Sequence, residues 1–114
     1  MNRFIAMMSA GAVAILLSGG ASAAEPVVTP AQISAAATPA DHEAIAVAYD
    51  KEAARLQTKA TEHELMAKAY SSAESKKGMD SASMHAHCAK LARQYSEAAS
   101  ENRELAKQHR AMAD

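Results

Sequence analysis

From Ala40 to Lys77, and again from Met79 to Asp114, the chain contains neither glycine nor proline. Two uninterrupted stretches of more than thirty residues leave few folds open. Strands run about 5–6 residues between turn signals, whereas an α-helix continues until something breaks its hydrogen-bond ladder. Gly78 lies between the two stretches, directly after Lys76 and Lys77. Two cations suit the negative end of a helix dipole, and glycine takes the left-handed conformation that ends a helix. The first stretch opens with Thr38-Pro39-Ala40-Asp41. That order puts a hydroxyl at the N-cap, proline at the first helical position and a carboxylate at the third. Asp80 or Ser81 caps the second helix. The expectation is an all-α chain: a helix over about 39–76, a turn over 77–80 and a helix over 81–113. Each helix is ~50 Å long at 1.5 Å per residue. Joined by a short turn, they fold back into a long antiparallel two-helix hairpin, coiled-coil-like in its packing.

Alternating steps of three and four from His42 select Ile45, Tyr49, Glu52, Leu56, Lys59, His63, Met66, Tyr70 and Ala73. The same walk in the second helix selects Met84, Cys88, Leu91, Tyr95, Ala98, Asn102, Leu105, His109 and Met112. These are the a and d lines of a heptad repeat. The position after a d residue is alanine almost throughout: Ala46, Ala53, Ala60 and Ala67, then Ala92, Ala99, Ala106 and Ala113. Small side chains on that flank allow helix axes at the short end of the ~8–10 Å range, so a tight, alanine-rich seam is expected.

A longer repeat runs through the same lines. His42 to Tyr49 recurs as His63 to Tyr70 and, with cysteine in place of histidine, as Cys88 to Tyr95; His109 opens a fourth copy. Duplication explains the period but not why imidazoles occupy a positions, where an unpaired buried polar group costs ~1–3 kcal/mol. Hydrogen bonds to tyrosine, Glu52, Asn102 or water are the plain answer. Metal ligation is the sharper one. Folding about residues 76–78 levels Met66 with Cys88 and Tyr70 with Met84, and brings His63 within one layer of Cys88. The resulting candidate set is His63, Met66, Met84 and Cys88, with His85 and His87 alongside. Imidazole and soft sulfur suit Cu(I), or Zn(II) through His and Cys. A second candidate cluster, His42, His109 and Met112, falls at the open end. Methionine at heptad spacing also serves as a soft core filler.

The remaining composition narrows the classes. The first 24 residues follow the order of a secretory signal peptide: Asn2-Arg3, an apolar run from Phe4 to Leu17, then Ser18-Gly19-Gly20 and Ala21-Ser22-Ala23-Ala24. Cleavage is expected after Ala23 or Ala24, giving an exported, periplasmic or secreted protein. The apolar run is shorter than the ~20 residues of a spanning helix, so stable membrane insertion is not expected after cleavage. Residues 25–38, with Pro26 and Pro30, are expected to form an extended leader, with Thr29-Pro30-Ala31-Gln32 able to cap one helical turn. Arg3 is the only charge before Glu25, so residues 25–114 carry 11 basic and 13 acidic groups, a net −2. That balance offers no basic stripe for nucleic acid. Cys88 is the single cysteine, and in an oxidising compartment an unpaired thiol is available for an intermolecular disulfide.

Catalytic patterns are missing. His42-Glu43 and His63-Glu64 open like a zinc-protease helix, but Ala46 and Ala67 stand where the second histidine belongs. There is no C-x-x-C-H for haem, no phosphate loop and no nucleophile elbow. The segments Thr38 to Ala44, His63 to Tyr70 and His87-Cys88-Ala89-Lys90-Leu91-Ala92 resemble those of small uncharacterised exported α-helical hairpin proteins of proteobacteria, over the whole helical part. The resemblance implies export and a hairpin, and no activity. The function expected is therefore a non-catalytic structural or interaction protein whose partner is a second copy or another helical protein. The alternative is a periplasmic protein binding Cu(I) or Zn(II) along the seam.

Overall fold

A computed structural model describes residues 27–72 and 78–114. Among them are three helices and no strand: α1 (Pro30–Ala35), α2 (Pro39–Ser72) and α3 (Ser81–Ala113). The signal segment expected at 1–24, and residues 73–77 between the two long helices, lie outside the described residues.

Local chemistry fixes each start. The leader holds one short helix, α1, because Thr29 and Gln32 form a reciprocal capping box: the Gln32 N–H donates to Thr29 Oγ1 (3.2 Å) and the Thr29 N–H to Gln32 Oε1 (2.7 Å). At the head of α2 the Asp41 N–H donates to Thr38 Oγ1 at 3.1 Å. Asp41 Oδ2 accepts from the amides of Ala37 and Thr38, both at 3.0 Å. Those two backbone bonds hold the Asp41 carboxyl below the usual carboxylate range. Gly78 sits at φ +85°, the left-handed conformation expected of the residue that ends the turn from α2. Asp80 then caps α3, its Oδ1 accepting from the Ser83 N–H at 3.0 Å.

The long helices α2 and α3 pack against each other as an all-α hairpin. Alanine forms the centre of their contact. Ala46, Ala53, Ala60 and Ala67 from α2, and Ala92, Ala99 and Ala106 from α3, are all at or below 5 % exposure. Ile45, Leu56 and His109 complete the buried set. No large side chain among the described residues is fully buried. The pairing is held by many short-range dispersion contacts between methyl groups and the facing backbone, not by bulky anchors.

This seam differs in one respect from a plain a/d stripe. At 100° per residue, each alanine line lies about 40° to one side of the a line, and the d line about 60° to the other. Centring the contact between the a and alanine lines moves the d line out to the flank. Met84, Leu91, Leu105 and Met112 accordingly stay 38–52 % exposed, and Met66 is 45 % exposed. Alanine wins the centre although it is less hydrophobic, because it lets the two backbones approach and so multiplies close contacts along the helix.

The two flanks of the hairpin differ in chemistry. On one, Arg110 of α3 reaches Asp50 (2.6 Å) and Glu43 (3.5 Å) of α2, and the two carboxylates raise its already high pKa further. The other carries the d lines: Ile45, Glu52, Lys59 and Met66 on α2, and Met84, Leu91, Ala98, Leu105 and Met112 on α3. Its two charges are satisfied within their own helix, Glu52 by Arg55 and Lys59 by Glu62.

Candidate functional site

The histidines divide between the two ends of the seam. At the open end α2 contributes His42 and α3 contributes His109. Their Nδ1 atoms face each other at 3.1 Å, with ring centroids 5.4 Å apart and planes tilted by 32°. Tyr49, one heptad after His42, lies against the other side of His109 at 5.8 Å. His109 is buried at 8 % exposure, whereas Met112, three residues on, is half exposed. Two ring nitrogens at 3.1 Å share one proton, one imidazole donating through Nδ1–H to the lone pair of the other. Arg110, the residue after His109, forms ion pairs with Glu43 and Asp50 of α2.

Near the turn the arrangement is looser. His63 stacks on Tyr95 of α3, with centroids 5.3 Å apart and planes within 13°. Its Nδ1 is buried and has no hydrogen-bond partner. His85 Nδ1 lies 2.7 Å from the carbonyl oxygen of Ala67. A carbonyl only accepts, so Nδ1 carries the proton and Nε2 keeps a free lone pair. Cys88 is a half-buried free thiol. His87 is exposed, as are Met66 and Met84. The structure therefore brings His42 and His109 into direct contact, pairs His63 with a tyrosine and leaves the methionines on the surface flank. Among the described residues, no three of His, Cys, Asp and Glu converge as a metal-holding group.

Two contacts fall outside what the heptad walk alone suggests. Stacking of His63 on Tyr95 depends on the two helices being offset by about one layer, which the repeat does not specify. The bridge from Arg110 to Glu43 and Asp50 was legible in principle, since two carboxylates seven residues apart in α2 lie level with one arginine of α3.

The exposed apolar flank is the second candidate site. Leu91, Gln94, Tyr95 and Ala98 of α3 form a shallow cleft there with Leu56 of α2. It is open to solvent and lies midway along the hairpin. No helix among the described residues is long and apolar enough to cross a membrane. No protein-family model, no curated protein sequence and no solved structure matches this chain.

Proposed function

We propose that this chain is an exported, non-catalytic helical hairpin that works by association through its apolar flank, as one half of a larger helical bundle. One observation carries the reading. The alanine seam consumes the small residues, and Met84, Leu91, Leu105 and Met112 remain 38–52 % exposed in a single row. Full burial of a Leu or Met side chain is worth about 1.5–3 kcal/mol, so a residue two-fifths exposed has roughly 0.6–1.2 kcal/mol left to gain. Four such residues on each of two matching surfaces offer about 5–10 kcal/mol. Association costs about 4–15 kcal/mol in lost freedom, so the flank supports weak, reversible pairing and not an obligate complex.

The test exchanges the row for charge. Leu91→Glu with Leu105→Glu should leave helicity unchanged by circular dichroism and abolish association in size-exclusion chromatography. Leu65→Glu is the control: Leu65 is 60 % exposed but lies on the outer face of α2, so its substitution should change nothing. Association unaffected by the double substitution would sink the reading.

Metal binding is a second reading, supported by the open-end histidines. Two ligands on one ion at 2.0–2.1 Å stand about 3.3 Å apart in tetrahedral geometry and about 2.9 Å apart at a right angle. The His42–His109 separation of 3.1 Å falls between, whereas a linear Cu(I) ion would need about 4 Å. The pair suits Zn(II) or Cu(II), with solvent completing the shell. The unpartnered Nδ1 of His63 and the free Nε2 of His85 support the inner set with Cys88. Zinc titration with imidazole ¹⁵N spectra separates the two. Shifts at His42 and His109 that vanish in His42→Ala place the ion at the open end, and shifts at His63 or His85 lost in Cys88→Ala with His63→Ala place it near the turn. No saturable binding removes this reading.

A further inference from the structure

We infer that the partner of the apolar flank is a second copy of this chain, packed antiparallel about a two-fold axis that crosses the flank at Ala98. The inference rests on the association reading above and adds the partner's identity and register.

The α3 row is a palindrome. Its residues, seven apart, are Met84, Leu91, Ala98, Leu105 and Met112: large, large, small, large, large, symmetric in residue type about the centre. Laying a second copy over it, reversed, sets Leu91 against the partner's Leu105 and Met84 against the partner's Met112. At the centre Ala98 meets its own counterpart, the one place where two identical backbones must approach closest. A symmetric dimer requires such a self-complementary patch, because a two-fold axis makes every contact occur twice.

The α2 row carries a charge reversal close to the same level. It reads Ile45, Glu52, Lys59, Met66: apolar, negative, positive, apolar. Its centre of reversal falls between Glu52 and Lys59. In the hairpin that level falls beside Ser96, about two residues or ~3 Å from Ala98 and within reach of long charged side chains, given that His42 lies against His109 at one end and Ala67 against His85 at the other. Reversal about this centre sets Glu52 against the partner's Lys59 and Lys59 against the partner's Glu52, while Ile45 is already buried in its own chain, beside α1. A shifted pairing would set unlike-sized residues together, and a parallel one would lose the charge match by setting like charges against each other. Both charges already hold exposed intrahelical partners, Arg55 and Glu62, so they join a network without being stripped of compensation. The opposite flank, where Arg110 bridges Glu43 and Asp50, has no such symmetry.

The pairing buries the cleft between Leu56, Leu91, Tyr95 and Ala98 at the axis and completes a four-helix bundle. The α3 helices run antiparallel to each other, as do the two α2 helices.

The test places a thiol on the axis. Ala98→Cys in a Cys88→Ser background should form an intermolecular disulfide under mild oxidation in high yield. Glu101→Cys in the same background, off the flank, should not. A charge exchange gives a second measurement that does not depend on the thiol. Glu52→Lys alone and Lys59→Glu alone should each weaken the dimer at least fivefold in dissociation constant, and the double exchange should recover most of that loss. A dimer that forms but neither cross-links at position 98 nor shows recovery overturns the antiparallel register while leaving association through the flank intact. A chain that stays monomeric while capturing a different helical protein through Leu91 and Leu105 overturns the self-pairing. A chain that does not associate at all overturns both this inference and the reading beneath it.

Discussion

Ala53 and Ala54 are adjacent in α2, yet Ala53 is 1 % exposed against α3 while Ala54 is exposed. Replacing each in turn with leucine isolates the alanine seam from every other property of the helix. Leucine and alanine differ little in helix propensity, so Ala54→Leu should leave the melting temperature almost unchanged. At Ala53 the added branched carbons meet the facing backbone, and the helices must separate or the side chain must leave its preferred rotamer. Overpacking of this kind costs about 1–3 kcal/mol. For a domain of this size each kcal/mol moves the melting temperature by about 4–8 °C, so a central value of ~2 kcal/mol lowers it by roughly 8–16 °C. Thermal unfolding followed by circular dichroism at 222 nm, both variants at one protein concentration, gives the comparison. If Ala53→Leu melts at or above Ala54→Leu, the alanine line is not the contact and the seam assigned here is wrong.

Three further outcomes follow from named contacts. His63→Phe keeps the ring on Tyr95 but removes the unpartnered Nδ1, so it should raise stability by about 1 kcal/mol, read as a shift in urea midpoint with unchanged slope; a loss would mean that the nitrogen has a partner in solution. Thr38→Ala should cost about 1 kcal/mol and speed hydrogen exchange at the Asp41 amide, the donor to Thr38 Oγ1; unchanged exchange there would argue against the cap. The guanidinium of Arg55 holds the Glu52 carboxyl below its ordinary value of 4.5. A depressed folded value means that the pair stabilises above the unfolded pKa and loses that contribution as pH falls through the folded one. Glu52→Gln should therefore lower the melting temperature at pH 7 and lose that effect in strong acid, and a difference that grows on acidification would refute the pairing.

The long helices were legible in the sequence because their punctuation is chemical and local. Thr38, Pro39 and Asp41 mark one start, Asp80 the other, and Gly78 the turn, and each does in the structure what its side chain or its lack of one dictates. Alanine at every seventh position likewise announced close packing. Which of two adjacent lines takes the centre was not legible from hydrophobicity, since Leu91 and Leu105 are more apolar than Ala92 and Ala106. Backbone approach decides it, and that is a property of both helices together. The same rotation explains the candidate ligands. It carries Met66 and Met84 out to the flank, while the a-line rings stay in the seam, where His42 meets His109 and His63 stacks on Tyr95. The palindrome about Ala98 is visible in the letters, but it becomes informative only once that row is known to be exposed.

Association of the intact hairpin is the central claim, and sedimentation equilibrium of the purified chain over a wide concentration range tests it most directly. The expected weight-average mass rises with concentration from one chain toward two and goes no higher, and it stays at one chain for Leu91→Glu with Leu105→Glu. A mass fixed at one chain throughout, with helicity intact, would contradict it.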